Sequence, residues 1–377
     1  MMIVGVDARA AAEVPAGRGR VVRELLAAFE EAATNHRFHL YCRQPWREIA
    51  LGESFRWVPI RLPDPAWHLV AARRASGSCD VFLSTNSYLT AWMLSVPCVV
   101  VVYDLVAFLP HARAQERAAR IERATIRPAI RRAERLVCIS RSTERDLLER
   151  FPGAVGKTAT IPLGAAADFG RQRDRSELDR VAARYGVAAG SYVLSTGSLE
   201  PRKNLARLIR AHGALPHELR RSYPLLLVGP RGWDEQEILH AAGERADSVR
   251  LTGFVPEGDL AGLYAACALF CFPSLYEGFG LPVLEAMAPA PAAGAPVVTS
   301  ETSSLPEVGG DAVAYVHPED ERSIASAMER LLRSPDERAR LRVRARKRAT
   351  EFSWDRVARA LLGELERAAA TRKRPGR

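Results

Sequence analysis

Short apolar runs alternate with amphipathic segments along almost the whole chain. The clearest amphipathic segment, 20–33, repeats apolar residues at intervals of three and four, the spacing of a buried helix face. The apolar runs predict strands at 3–7, 38–42, 55–59, 81–84, 99–103, 136–140, 158–162, 192–196, 225–228, 249–251, 269–272, 297–299 and 313–316. Strands that alternate with helices form parallel sheets covered by helices on both faces. The pattern therefore predicts an α/β fold.

A polar, charged stretch at 168–180 separates two such series of strands and helices. We infer two doubly wound, Rossmann-like domains that face each other across a cleft, at 1–167 and 168–351. We expect 352–377 to form a closing helix that packs back on the first domain, followed by a basic tail. Doubly wound sheets bind ligands at the carboxyl ends of their strands, so we expect the functional residues in loops that follow strands.

Composition narrows the class of protein. Of the 377 residues, 47% are apolar and 26% are charged, which excludes a disordered chain, a fibrous repeat and a mini-protein. The 54 basic and 44 acidic residues give a net charge of +10. This excess favours a phosphate-bearing partner, which could be nucleic acid, an anionic membrane surface or a phosphorylated small molecule. Only four of the basic residues are lysines, namely Lys157, Lys203, Lys347 and Lys373.

The cysteines and the apolar stretches favour a cytoplasmic protein. The six cysteines show no C-x-x-C spacing and several lie in apolar runs, so we expect reduced core residues. Asp7 and Arg9 interrupt the apolar start, which does not fit a signal peptide. Polar residues and Pro97 divide the longest uncharged stretch, 81–103, into a strand, a turn, a helix and a strand. We therefore expect this stretch to be buried and not to span a membrane.

The most informative motif is 272–287, in which a strand ends and two glycines precede Pro282. Proline at a first helical position predicts a helix N-terminus, whose N–H groups can hold an anion or sugar hydroxyls. Glu277 lies in the loop and Glu285 about one turn into the helix, so both carboxylates can face one ligand. Glu277 could instead only complement the helix dipole. Its place between an aromatic residue and a Gly-Phe-Gly loop favours the functional interpretation.

A second motif, 195–205, places Arg202 and Lys203 at the entrance of a helix. A cation at this end of a helix is unfavourable by a few tenths to about 1 kcal/mol. A diphosphate would remove the conflict, because the arginine fork and the lysine ammonium both bind phosphate oxygens. The alternative is that both side chains are solvated and pair with Glu200. We favour phosphate binding, since this chain otherwise uses arginine for nearly every cation.

Two weaker motifs lie in the first half of the chain. Gly17 and Gly19 precede the first long helix without the third glycine of the dinucleotide fingerprint. Their loop either approaches a diphosphate or is an ordinary turn. Tyr103 and Asp104 end an apolar strand, and they either contact substrate in the cleft or cap the next turn.

Two common kinds of catalytic site find no support. The sequence has no D-x-D pair and no His, Cys and Asp cluster with metal-ligand spacing, so we expect no metal. It also has no G-x-S-x-G elbow that would carry a serine nucleophile.

Five segments together resemble a known family: 197–205, 227–230, 251–255, 273–288 and 303–308. They are similar to the retaining glycosyltransferases of family 4, which have the GT-B fold. Within this family the motif residues are most similar to those of bacterial mannosyltransferases of cell-surface polysaccharide assembly. The resemblance is nearly continuous in the carboxyl half and looser in the first half, where such enzymes bind acceptors. It implies metal-independent, retaining transfer of a hexose without a cofactor. The implied donor is GDP-mannose, with a UDP-sugar such as UDP-glucose or UDP-GlcNAc as the alternative. The implied acceptor is a saccharide or a lipid-linked saccharide.

The resemblance also implies roles for individual residues. Glu277 would hold the donor sugar hydroxyls, Glu285 the nucleotide ribose, and Arg202 with Lys203 the diphosphate. No protein nucleophile is implied, because retention in this fold is ascribed to attack on the face from which the phosphate departs. Further donor contacts are implied for Gly17, Gly19, Gly197, Ser198, Phe254, Phe279, Gly280 and Leu281, and a sugar or acceptor contact for Tyr103 and Asp104.

This chain departs from the family pattern in two places. Tyr103 stands where many relatives carry a histidine before the aspartate, and a tyrosine does not titrate near neutral pH. After the 273–288 segment, residues 289–293 form a loop a few residues longer than expected, which we place at the end of the helix, away from Glu277.

Three other interpretations compete with that of a glycosyltransferase. Arginines at helical spacing within 113–135 could contact an anionic membrane or a lipid-diphosphate acceptor. We favour a solvated helix face, because the intervening residues are mostly alanine, and Pro128 should kink the helix.

A nucleic-acid-binding protein lacks support because the sequence contains no recognisable nucleic-acid-binding module, so we expect no nucleic-acid partner. A glycosidase or phosphorylase that uses the two glutamates is the second enzyme alternative. The arginines at helical spacing within 113–135, mentioned for the membrane interpretation, are Arg113, Arg117, Arg120, Arg123, Arg127, Arg131, Arg132 and Arg135.

Overall fold

The computed structural model describes residues 1–14, 17–32, 35–48, 50–85, 87–109, 116–288 and 294–372. Within these residues the chain divides into two units. The first unit joins Met1–Phe108 and Ala114–Gly164 to Ser353–Arg377, and the second holds Ala165–Phe352 with Leu109. The boundaries predicted after residues 167 and 351 lie within a few residues of these.

The first unit contains a parallel, seven-stranded sheet over the described residues. Its order is β3-β2-β1-β4-β5-β6-β7, so the chain winds outward in both directions from β1 and β4. A doubly wound sheet of this kind has its topological switch point between those two strands. The strands are β1 (Ile3–Asp7), β2 (Arg37–Cys42), β3 (Phe55–Pro59), β4 (Val81–Ser84), β5 (Cys98–Val102), β6 (Arg135–Cys138) and β7 (Thr158–Thr160).

Six helices described between these strands cover the sheet. Apolar residues of four of them, α3 to α6, form one core with residues of the sheet. The six helices are α1 (Arg9–Glu13), α2 (Arg18–Glu31), α3 (Ala66–Ser78), α4 (Tyr88–Met93), α5 (Glu116–Arg132) and α6 (Arg141–Arg150).

The second unit repeats the same winding. Its described strands form a six-stranded parallel sheet of order β10-β9-β8-β11-β12-β13, with the switch point between β8 and β11. The strands are β8 (Val193–Thr196), β9 (Leu225–Val228), β10 (Val249–Leu251), β11 (Leu269–Phe272), β12 (Val297–Ser300) and β13 (Ala314–Val316).

The helices of the second unit alternate with these strands, and a 3-10 turn lies at Pro201–Lys203. The first unit has 3-10 turns at Val106–Phe108 and Pro152–Ala154. The helices are α7 (Ala167–Gly170), α8 (Arg175–Arg184), α9 (Leu205–Gly213), α10 (His217–Ser222), α11 (Gln236–Gly243), α12 (Glu257–Ala266), α13 (Leu281–Ala286), α14 (Leu305–Gly309), α15 (Glu321–Arg333) and α16 (Pro335–Ala349). The last helix, α17 (Trp354–Arg372), returns to the first unit, where it packs against α2 and β5. Arg135 Nε at the start of β6 donates to Glu364 Oε2 of this helix at 2.6 Å.

The predicted fold class is confirmed, because both sheets are parallel and doubly wound. Each predicted strand is present, with ends within one or two residues of the prediction. The six cysteines, all within the described residues, are buried and form no disulfide bonds. Among the described residues, no helix combines the length and the apolar character needed to cross a membrane.

The basic segment 113–135 is organised differently from the prediction. Pro128 lies inside α5, which continues to Arg132, and the kink expected at this proline stays a prediction. Arg135 is the first residue of β6 and not part of the helix. Arg113 and the loop 289–293 fall outside the described residues.

Candidate active site

Two loops meet at the switch point of the second sheet. One follows β8 and spans 197–204, and the other follows β11 and spans 273–280. They are neighbours because β8 and β11 pair in parallel, with Leu194 opposite Phe270. Ligands of doubly wound sheets bind at this place, and both motifs singled out in the sequence lie here. We therefore take the two loops as the candidate active site.

Asn204 joins the two loops and begins α9. Its Nδ2 donates to the carbonyl of Pro273 at 2.9 Å and to that of Pro318 at 2.7 Å. Its backbone is left-handed, with φ of 60°, a conformation that asparagine adopts more readily than most residues. The buried side chain thereby fixes the backbone from which Arg202 and Lys203 project.

Glu277 lies at the centre of the site and is only 7% exposed. Its Oε1 accepts from Lys203 Nζ at 2.6 Å and from Ser274 Oγ at 2.7 Å. Its Oε2 lies 2.9 Å from Arg202 Nη1. The backbone N–H of Glu277 donates to Ser303 Oγ at 3.0 Å, so the loop itself is also held.

The neighbouring cations determine the ionisation of Glu277. Burial alone would raise the pKa of this carboxyl, but the charges of Arg202 and Lys203 outweigh burial and lower it to about 2. Burial and the charge of Arg202 lower the pKa of the Lys203 ammonium, which the Glu277 carboxylate opposes. Glu277 is therefore a carboxylate at neutral pH and binds both cations.

The two cations have carboxylate partners on both sides. Arg202 Nη2 lies 2.6 Å from Glu200 Oε1, so the pairing with Glu200 that the sequence left as an alternative is present for Arg202. The two cations and two carboxylates sum to zero charge. Glu277 and Glu200 thus supply negative charge at the helix entrance, where the sequence led us to expect a diphosphate or Glu200. Phosphate binding by the two cations stays a prediction.

Glu285 is held separately, within α13. It is 4% exposed, and its Oε2 accepts from Tyr264 Oη at 3.2 Å. The same hydroxyl lies 2.8 Å from Thr196 Oγ1 at the end of β8. Hydrogen bonds thus connect Thr196 of β8, Tyr264 of α12 and Glu285 of α13, and they orient the Glu285 carboxylate.

Two glycines in the loops are required by geometry. Gly197 has φ of 132°, and a Cβ there would lie 3.2 Å from Cε of Lys203. Gly280 has φ of 105°, and a Cβ there would lie 2.8 Å from Leu305 Cδ2. A larger residue at either position would displace a loop of the site. The helix that follows Gly280, α13, is only six residues long.

The other predicted donor contacts differ in exposure. Phe254, after β10, is 60% exposed. The ring of Phe279 is buried and meets Phe352 edge-on at 5.9 Å between centroids, so only its backbone remains for a ligand. Ser198 and Leu281 are partly exposed.

In the first unit, the two glycines of the 17–19 loop have structural explanations. Gly17 has φ of 56° and caps α2. A Cβ on Gly19 would lie 1.7 Å from the carbonyl oxygen of Val14, so only glycine fits there. The ordinary turn that the sequence left open accounts for both residues, and their contact with a diphosphate stays a prediction.

Tyr103 and Asp104 line a cavity of about 70 Å³ beside the carboxyl end of β5. Asp104 Oδ1 accepts from the N–H of Val106 at 3.0 Å, so this residue caps the next turn. Tyr103 Oη is buried without a hydrogen-bond partner among the described residues. The full lining is Arg18, Ser87, Tyr88, Val100, Val101, Tyr103, Asp104 and Glu122.

Glu122, on α5, brings a second carboxylate to this cavity. Burial, followed by the charge of Asp104, raises the pKa of Glu122 to about 7, while Arg18 and Arg123 oppose the shift. Its protonation therefore changes near neutral pH. The unpartnered tyrosine hydroxyl and the two carboxylates give the cavity groups that can bind hydroxyls.

Sequence reasoning missed four residues of these sites. Asn204 carried a local signal, since asparagine is common at helix starts. Ser274, Tyr264 and Glu122 carried none, because their partners are distant in the sequence or depend on how a loop folds. The described residues contain no group of three or more His, Cys, Asp or Glu side chains that could hold a metal ion, and metal-independent chemistry stays a prediction.

Two Rossmann-like units, with buried cations and carboxylates at the switch point of the second, define a protein of the GT-B class. A family model described as Glycosyl transferases group 1 matches residues 188–348, which include both site loops. A second, described as Glycosyltransferase Family 4, matches residues 15–169. The chain belongs to glycosyltransferase family 4 and is a glycosyltransferase, as the resemblance implied.

Individual relatives agree with this assignment. The O-antigen chain mannosyltransferase B of Escherichia coli is 34% identical over 260 residues, which cover 68% of this chain and 67% of that protein. The serotype-specific mannosyltransferase WbdA of Escherichia coli is 35% identical over 236 residues, or 60% of this chain but only 28% of that longer protein. HepE of Anabaena, solved in complex with UDP and glucose, matches with a TM-score of 0.76 and 17% identity over 97% of this chain and all of that one.

Proposed function

We propose that this glycosyltransferase moves mannose from GDP-mannose onto a saccharide or lipid-linked saccharide during cell-surface polysaccharide synthesis, with retention and without a metal. The mannosyltransferase names of two relatives support the sugar and the pathway. The HepE structure holds UDP and glucose, which supports a UDP-sugar such as UDP-glucose as the second candidate.

The observation that carries the proposal is the buried cluster of Arg202, Lys203 and Glu277. Departure of a nucleoside diphosphate concentrates negative charge, and preorganised cations stabilise it without reorganisation. The Glu277 carboxylate already fixes both cations in place, at 2.9 and 2.6 Å. On this proposal the same carboxylate accepts hydrogen bonds from the donor sugar.

The reaction requires no protein nucleophile. The bond between the anomeric carbon and the phosphate oxygen breaks, and the carbon acquires oxocarbenium character. An acceptor hydroxyl then attacks from the same face and forms the new glycosidic bond. The hydroxyl proton passes to an oxygen of the departing diphosphate, so the products are the glycoside and the nucleoside diphosphate.

The partners follow from this reaction. They are the nucleotide-sugar donor and the saccharide or lipid-linked acceptor, with no nucleic acid and no cofactor. We place the protein in the cytoplasm, where nucleotide-sugars would be its substrates, with a peripheral contact to the inner face of the membrane.

A thermal-shift panel tests the donor. A ligand that binds the native state raises the unfolding midpoint. We expect GDP-mannose to raise it more than UDP-glucose, UDP-GlcNAc or ADP-glucose at equal concentration. A shift with UDP-glucose alone would replace mannose by the second candidate. No shift with any nucleotide-sugar, or a shift with orthophosphate alone, would contradict the proposed function and favour a glycosidase or phosphorylase.

Glu122→Gln tests the cavity of the first unit through pH. The unfolded chain titrates this group near 4.5 but the folded chain near 7, so the folded state binds the proton more tightly. Glu122 therefore costs stability increasingly as the pH rises between these values, and the cost is complete above them. We expect Glu122→Gln to raise the unfolding midpoint at about pH 8 and to leave it nearly unchanged at about pH 4.

The control for this variant is Glu116→Gln, an exposed position on the same helix, which should show no such pH dependence. If the cavity binds the acceptor or sugar, Glu122→Gln should also flatten the rise of acceptor affinity with pH near 7, because an ionised carboxylate accepts stronger hydrogen bonds. Equal midpoints for both variants across the pH range would contradict the burial of Glu122.

A further inference from the structure

Tyr264 of α12 lies between the end of β8 and α13. The residue is 1% exposed, and its ring meets the rings of Phe169 and Phe270 edge-on, at 5.7 and 5.1 Å between centroids. The hydroxyl lies 2.8 Å from Thr196 Oγ1 and 3.2 Å from Glu285 Oε2. Because the packed ring cannot turn away, its hydroxyl is fixed between these two side chains.

The two hydrogen bonds have a definite direction. An ionised carboxylate only accepts, so Tyr264 Oη donates its single proton to Glu285 Oε2. The phenol oxygen then accepts from Thr196, whose hydroxyl is the donor of the second bond. Hydrogen bonds that follow one another in this way polarise and strengthen each other. We call Thr196 and Tyr264 the hydroxyl pair.

The two glutamates of the site have different kinds of partner. Glu277 faces two cations, whereas Glu285 accepts from a neutral hydroxyl. A neutral donor holds a carboxylate in place without cancelling its charge, and an ionised acceptor forms the stronger hydrogen bonds. A side chain that is held before the ligand arrives also loses less entropy on binding. Glu285 is therefore prepared to accept from hydroxyl groups of a ligand.

We propose that Thr196 and Tyr264 are positioning residues for recognition of the ribose of the donor nucleotide. The hydroxyl pair holds the Glu285 carboxylate where it accepts from the vicinal 2′- and 3′-hydroxyls. A site built to bind hydroxyls discriminates strongly against an analogue that lacks them, so the pair makes the site select ribonucleotides. This inference deepens the proposed function and rests on it, since it requires a nucleotide donor. It does not depend on the base, because GDP and UDP share the ribose.

The test is calorimetric titration of the full chain with GDP and with 2′,3′-dideoxy-GDP, which lacks both hydroxyls. If the unmodified chain binds UDP and not GDP, UDP and its dideoxy form replace them. We expect Tyr264→Phe to weaken GDP binding roughly 3- to 10-fold, the value of one hydrogen bond, and to change dideoxy-GDP binding less than about twofold. Thr196→Val should show the same ligand dependence with a smaller effect. Thr196→Ser keeps the hydroxyl and should bind GDP like the unmodified chain.

Tyr192→Phe is the matched control. Tyr192 is also fully buried, and its hydroxyl donates to the carbonyl of Leu263, the residue before Tyr264 in α12, at 2.6 Å. Each variant loses one buried phenol hydroxyl, so both should lower the unfolding midpoint by a similar amount. Only Tyr264→Phe should reduce the preference for GDP over dideoxy-GDP.

The outcomes separate the inference from the proposed function. Equal loss of GDP and dideoxy-GDP affinity in Tyr264→Phe would overturn the inference, because the hydroxyl would then act only on the shape of the site. Unchanged GDP affinity in Tyr264→Phe would also overturn it, as would the same change of preference in Tyr192→Phe. If the unmodified chain binds neither GDP nor UDP, the proposed function itself is contradicted and the inference fails with it.

Discussion

Glu277→Gln is expected to lower sugar transfer by at least about 100-fold and to destabilise the second unit. The neutral amide leaves Lys203 and Arg202 in a buried site without their shared carboxylate. A pKa lowered from 4.5 to about 2 corresponds to about 3 kcal/mol of stability. Nucleoside diphosphate should still bind, with equal or higher affinity, because the two cations lose a competing anion. Transfer assays, calorimetric titration with GDP and denaturant unfolding measure the three effects.

The pH dependence of unfolding gives this prediction a definite sign. The folded state holds the proton of Glu277 less tightly than the unfolded state, so the stabilisation is complete above about pH 4.5 and is lost as the pH falls toward 2. Glu277→Gln should lack this component. Glu364→Gln is the matched control for the loss of a buried carboxylate outside the candidate site. Glu364 is also buried and faces two arginines, Arg135 and Arg367, but it lies in α17. Loss of GDP binding in Glu277→Gln would contradict the separate roles of carboxylate and cations.

Lys203→Met is expected to weaken GDP binding by roughly 10- to 100-fold, because a hydrogen bond from a charged donor is worth about 1.5–3 kcal/mol. Lys203 is buried, and its ammonium lies 2.6 Å from Glu277 and 5.0 Å above the ring of Phe272. Methionine keeps most of the volume and removes the charge. Calorimetric titration with GDP measures the loss, and GMP should be affected less if the ammonium contacts the terminal phosphate.

The control is Lys347→Met, which removes an exposed lysine from α16 in the same unit and should leave GDP affinity unchanged. Glu277 keeps Arg202 as a partner in Lys203→Met, so this variant should be destabilised less than Glu277→Gln. Equal GDP affinity in Lys203→Met and the unmodified chain would remove the assignment of this lysine to the diphosphate. The ion pair with Glu277 would then be its whole role.

Much of the fold was predictable because its signals are local. Strands such as 225–228 and 269–272 are continuous apolar runs, as expected for parallel strands buried on both faces. Pro128 shows the limit of local signals. Proline usually kinks or breaks a helix, yet α5 continues through it because packing of Ile126, Ala129 and Ile130 in the core holds the helix on both sides.

The site was predictable in its loops but not in its pairings. The sequence indicated Glu277, Arg202 and Lys203 separately, each from its position relative to a strand or helix. It offered a diphosphate or Glu200 as the partner of the cations, but not Glu277, which lies 74 residues from Lys203 along the chain and pairs with it. The pairing with Glu277 was missed because a sequence shows which charges precede a helix but not which opposite charges the sheet order brings beside them.

The sequence by itself determined the α/β class, the two series of strands, the family and the two loops of the candidate site. Periodicity, glycines and prolines encode these features within a few residues of each position. Only the tertiary structure decided which side chains meet. The pairing of β8 with β11 brings two loops into one charge cluster, and the return of α17 to the first unit brings Glu364 beside Arg135. Such contacts join residues distant in sequence, so no local pattern records them.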